Sequence, residues 1–194
     1  EGQTAGPSAQ AQLELDLKHV TCLARKGFCR MFSHEDQRYL PTVRVDCSDS
    51  ILITMDTPLF QQTGVQSEEE FKQHLIWNAD HNFYEKLSSF WRIDSSQGSE
   101  VFDMDWSAWQ AYWGAGRERL DRPLPVLWKS PADAERPLSE QGVEAYLLDE
   151  AKANPARAAA TDGIRDAGMQ AALVPPIPEL EPVSPPTAEE AVGG

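Results

Sequence analysis

Residues 13–65 read LELDLKHVTCLARKGFCRMFSHEDQRYLPTVRVDCSDSILITMDTPLFQQTGV. Leu13, Leu15 and Leu17 alternate with charged residues, which puts three apolar side chains on one face at period two. The runs VTC, GFCRMF, TVRVDC, ILITM and PLFQQ follow, several of them β-branched and each bounded by polar or turn residues. This texture predicts many short strands and no helix. Val20-Thr21-Cys22 and Val45-Asp46-Cys47 stand 25 residues apart, and Phe28 and Ile53 keep that offset. Such a spacing, with several strands per period, is that of one coil of a parallel β-solenoid. It predicts Cys22 beside Cys47 in an inward ladder.

Outward from this stretch the texture changes. Residues 1–12 are rich in Gly, Ser and Gln without periodicity, as expected of a linker or frayed edge. Ser67 and Glu70 form the S-x-x-E of a capping box before a short helix carrying Phe71, Leu75 and Ile76. IWNADHNFYEKLSSFWRI reads as two extended pieces around a turn at residues 78–80. Asp105 caps a second short helix, WSAWQAYW, which stops at Gly114. Residues 115–142, charged and Pro-punctuated, read as a surface excursion, and VEAYLL as a strand. NPARAAATDGIRDAG carries turn signals at Asn154-Pro155 and Asp162-Gly163. From Pro175 the chain holds six of its 14 prolines, four Glu and no Lys or Arg, the composition of a disordered acidic tail over 175–194.

The 194 residues suffice for one ordinary domain. With 17 Lys and Arg against 31 Asp and Glu the net charge is −14, which repels phosphate backbones and excludes nucleic acid as an expected partner. No apolar run approaches the ~20 residues of a membrane span, so no membrane insertion is expected. The chain begins with Glu1 and shows no signal-peptide pattern, as a fragment or a processed form would. Three cysteines cannot all pair within one molecule and read as small buried apolar residues.

Taken together, LDLKHVTCLARKGFCRM, VRVDCSDSILIT, PLFQQTG, HNFYEKLSSFWRI, WSAWQAYWG and NPARAAATDGIRDAG resemble the C-terminal region of very large bacterial multidomain proteins. Many of those carry an N-terminal serine/threonine protein kinase domain, some a lectin-like sandwich, before a right-handed parallel β-helix of the pectin-lyase-like type. The resemblance covers residues 13–174. It implies a mainly β fold: the terminal rungs of a right-handed parallel β-helix with short capping helices, followed by the tail. It implies upstream domains of the same polypeptide as partners in cis, and it carries no catalytic residue or cofactor. The kinase motifs themselves are missing from this sequence, His34-Glu35-Asp36 being only an echo of a catalytic loop.

Three constellations are candidates for chemistry. His19, Cys22, Cys29 and His34 have the atom types for zinc, but the Cys–Cys gap is too short for a zinc finger; buried thiols are the expectation, with no metal. Asp46, Asp49, Asp56, Asp103 and Asp105 could cluster as in carbohydrate-active β-helices, or serve as turn and cap residues. Trp106, Trp109 and Trp113 share one helical face. They either stack on a sugar ring or plug the open end of a solenoid, whose apolar ladders and strand edges need cover. The plug is preferred. The sequence therefore reads as a non-catalytic structural or binding module, the alternative being a carbohydrate-binding or carbohydrate-active β-helix; further partners would be carbohydrate or protein.

Overall fold

Strand β4 (Thr42–Ser48) shows how the sequence builds the molecule: Val43, Val45 and Cys47 point inward and are buried, while Arg44, Asp46 and Ser48 face out. The computed structural model describes residues 12–32, 41–65, 72–95, 101–114, 118–119, 121, 123–133, 135–137, 140–150 and 153–174. Ten further strands are described: β1 (Gln12–Lys18), β2 (Thr21–Leu23), β3 (Cys29–Phe32), β5 (Ile51–Thr57), β6 (Phe60–Val65), β7 (Leu75–Asp80), β8 (Phe83–Leu87), β9 (Trp91–Ser95), β10 (Val101–Met104) and β11 (Glu118–Arg119). An α-helix, α1, spans Trp106–Trp113. The fold is mainly β, and its sheets do not close into a barrel.

Three sheets share one plan. Their strand orders are β1-β4-β7-β11, β2-β5-β8 and β3-β6-β9-β10, and every pairing is parallel except β9 with β10. The chain thus visits the first, second and third sheet in turn, three times over. In the first sheet Leu15, Val45 and Trp77 stand in register, as do Leu17, Cys47 and Ala79. These inward ladders meet Phe60 and Trp91 of the third sheet in one core.

The corners between the first and second sheets fall at His19, Asp49 and His81, with φ of 54°, 53° and 58°. His and Asp are among the few non-glycine residues that tolerate the left-handed region. Two of the three corners bond to the end of the neighbouring strand: His19 N–H donates to Ser48 O (3.2 Å) and Asp49 N–H to Asp80 O (3.0 Å).

Strand β5 opens with four consecutive buried residues, Ile51 to Thr54. Leu52 faces the main core, while Ile51 and Ile53 join a second cluster with Phe83, Val126, Ala156 and Ala167. The middle sheet is therefore covered on both faces, which is why its strand reads as a continuous apolar run.

Several sequence expectations need correction. Partners on neighbouring parallel strands are offset by 30 to 32 residues, as Val20 to Ser50, Arg30 to Gln61 and Asn78 to Asp46 show, not 25. Cys22 pairs with Leu52 in the second sheet and Cys47 with Leu17 and Ala79 in the first, so the two thiols share a core but no ladder. Ile53 lies opposite Leu23, not Phe28. The 25-residue match set a corner segment against the interior of a strand. Residues 75–95 make three strands rather than two, with corners at His81 and near Ser89, and Leu75 and Ile76 belong to β7 instead of a helix. VEAYLL holds a 3-10 turn over Val143–Tyr146, and only Leu148 forms an isolated bridge, with Trp128. Gln12 already belongs to β1. Residues 1–11, Ser67, Glu70, Phe71, His34 and the tail over 175–194 lie outside the described residues.

Candidate functional site

Helix α1 starts where Asp105 Oδ1 accepts from Ala108 N–H (2.8 Å) and ends at Gly114, whose φ of 79° suits glycine. Its face at i, i+3 and i+7 carries Trp106, Trp109 and Trp113 against rings of β7, β8 and β9. Trp109 is fully buried, stacked on Phe60 (5.7 Å between centroids) and edge-on to Trp77 of β7 (5.9 Å) and Trp91 of β9 (6.0 Å). Trp106 meets Tyr84 of β8 at 5.8 Å, and Trp113 stacks parallel to Trp91 at 6.2 Å. One strand of each sheet, β7, β8 and β9, thus contributes an aromatic ring to this cluster. Trp109 presents no face to a ligand; Trp106 and Trp113 are half-buried.

The carboxylates do not converge. Asp46 lies on the outer face of the first sheet, where bonds from Arg44 Nε (2.8 Å) and Asn78 Nδ2 (2.7 Å) hold its pKa below the usual carboxylate range. Asp49, fully buried, accepts from Thr161 N–H (2.7 Å) and Thr161 Oγ1 (3.0 Å), an anchor for the closing segment. Asp56 is exposed in β5, with φ of 59° where the pairing with β8 shifts register. Asp103 accepts from Ser89 Oγ (3.2 Å), and Asp105 is the helix cap. All five thus have turn, cap or ladder positions, and no two of them face each other across a groove.

His19 lies 3.7 Å from Asp49 (Nε2 to Oδ2) at a corner, while Cys22 and Cys29 sit in different sheets, half-buried. Burial pushes both thiols up, and that of Cys47 up to about 12, so none is poised as a thiolate. Among the described residues no group of three or more His, Cys, Asp or Glu could hold a metal ion.

A polar column that the sequence reading did not single out runs through the coil next to the corners. Ser50 Oγ accepts from Val20 N–H (3.1 Å), and Asn82 Oδ1 accepts from Ser50 N–H (2.9 Å) while its Nδ2 donates to Cys47 O (2.8 Å). Asp121 then accepts from Asn82 N–H (2.7 Å) and from Tyr84 OH (2.7 Å). Each side chain satisfies backbone of the preceding coil, as buried polar groups must be satisfied. Desolvation raises the Asp121 carboxyl to about 6, against the bonds from Asn82 and Tyr84 that lower it. The available signal was a polar residue directly after two of the three corner residues, Ser50 after Asp49 and Asn82 after His81, while Val20 follows His19.

A cleft of about 420 Å³ opens where residues 126–149 cross the middle sheet, lined mainly by apolar atoms of Ile53, Met55, Val126, Trp128 and Tyr146. Trp128 Nε1 donates to Glu85 Oε2 (2.9 Å), which fixes its ring in the wall. No family model matches this chain, and no curated protein or solved structure does.

Proposed function

We propose that this chain is the C-terminal end of a right-handed parallel β-helix within a larger protein, a non-catalytic module whose last coil is plugged by α1. The observation that carries this is the unlike state of the two ends. At one, Trp109 on the inner face of α1 is 0% exposed; at the other, Leu13 is 49% exposed and Leu15, Leu17, Cys22 and Cys29 are only half-buried. Their counterparts one coil later, Val43, Val45, Cys47, Leu52 and Phe60, are all buried. Among the described residues β1, β2 and β3 each pair on one side only. Unpaired edges above half-covered ladders fit a further coil stacked there. The resemblance supports the same reading, with upstream domains, among them a serine/threonine kinase domain, as partners in cis.

Replacing Trp109 by Ala tests the plug. Emptying this site should cost ~3–5 kcal/mol, which for a domain of this size lowers Tm by roughly 10 °C. An equally stable variant overturns the plug. The second reading, carbohydrate binding, is favoured by Trp128 and Tyr146 in the cleft wall. Saturable binding of a soluble oligosaccharide, abolished by Trp128→Ala, would promote it.

A further inference from the structure

The net charge of −14 hides one place where cations gather. Arg25, Lys26, Arg30 and Arg92 border a groove of about 320 Å³, floored by Thr57, Pro58 and Gln61 at the corner between the second and third sheets. Arg30, Gln61 and Arg92 are register partners in β3, β6 and β9, so the two guanidinium-bearing strands are separated by two strand spacings, roughly 10 Å.

The groove is braced. Arg30 Nε donates to Gln61 Oε1 (3.2 Å), and its guanidinium lies over the Phe32 ring (4.9 Å). Arg92 Nε donates to Asp94 Oδ1 (3.0 Å), and Gln61 Nε2 to Asp94 Oδ2 (3.0 Å). On the opposite wall, Gly27 has φ of 91°, and a Cβ there would come within 2.6 Å of Pro58 O. The turn bearing Arg25 and Lys26 is therefore pressed against the floor. Arg25 also donates to the carbonyl of Arg136. Among the described residues, Asp94 and, across from Arg92 in β10, Asp103 are carboxylates beside Arg92.

We propose that this groove binds a ligand bearing two neighbouring oxyanion groups, of which a diphosphate is the simplest. Two walls of cations flank a polar floor, so one anion can be held by Arg25 and Lys26 and the other by the Arg30–Arg92 column. Planar guanidinium forks suit tetrahedral oxyanions, and side chains already braced lose less freedom on binding.

The test is calorimetric titration of the full chain with inorganic pyrophosphate, orthophosphate and a disulfated disaccharide at low ionic strength. Pyrophosphate or the disulfated sugar should bind at one site at least tenfold more tightly than orthophosphate; whichever binds tighter identifies the source of the anions. The pair Arg30→Gln, Arg92→Gln should weaken binding at least tenfold, whereas Lys129→Gln, away from this groove, should not change it. The exposed Lys26→Gln gives a second reading, at least threefold weaker, should the double variant fold poorly. No saturable binding, orthophosphate as tight as pyrophosphate, or an equal loss in Lys129→Gln would each overturn the proposal.

Discussion

Asp121 is a carboxylic acid with two donors, Asn82 N–H and Tyr84 OH, and little water around it. Its folded pKa of about 6 lies above the ordinary carboxyl value of an unfolded chain, so the folded state holds the proton more tightly. The stabilisation linked to that proton is fully present below about pH 4 and is lost as pH rises through about 6. Two units correspond to about 3 kcal/mol at most. Asp121→Asn removes the titration, so variant and wild type should differ in a pH-dependent way: their stability difference should move towards the variant by up to about 3 kcal/mol between pH 4 and 7. Urea melts at both pH values check this. The surface carboxylates Asp46 and Asp94, whose pKa values are lowered, act with the opposite sign but cancel in the comparison.

At the scale of elements, the closing segment 154–168 depends on close backbone approach. Gly168 N–H donates to Asp49 O (2.6 Å), and a Cβ at Gly168, φ 81°, would meet Thr21 Oγ1 at 2.6 Å and Ile51 Cδ1 at 2.7 Å. Gly163, φ 66°, has open space around it. Gly163→Ala should then cost only the backbone strain, ~1–2 kcal/mol, and Gly168→Ala at least ~1–3 kcal/mol more through overpacking. Thermal melts of the two variants should rank in that order; equal melts would mean that the segment does not seat against β5. This segment also shows what the sequence could reveal. The alternation in TVRVDC, the unbroken ILIT and the cap of Asp105 on WSAWQAYW were legible because each is a local rule. The 30–32 residue register was not, since it depends on where the corners fall, and these are two His and one Asp at unequal spacings of 30 and 32 residues. VEAYLL was misread because a short apolar run carries no period of its own. Of the candidate site, the shared face of Trp106, Trp109 and Trp113 was visible from spacing, whereas the Ser50–Asn82–Asp121 column shows only after the coils are aligned.

At the scale of the whole molecule, residues 175–194 offer few apolar side chains and repel one another through Glu179, Glu181, Glu189 and Glu190. Truncation at Pro175 should leave Tm unchanged; a drop of several degrees in calorimetry would mean that the tail packs on the coil. The residues just before it behave otherwise. Thr161 reaches back 112 positions to Asp49, and Met169 N–H donates to Thr21 Oγ1 (2.9 Å) across 148. Contacts this distant along the chain are slow to form, because long loops must close first. On the ribosome the first coil emerges long before its fasteners are made. Until residues 126–169 leave the exit tunnel, the outer side of β2 and β5 is incompletely covered, with Ile51 and Ile53 open to stray partners. Synthesis of the protein therefore includes a window of vulnerability that ends with the last few residues to fold, and a holdase that shields that face would act within it.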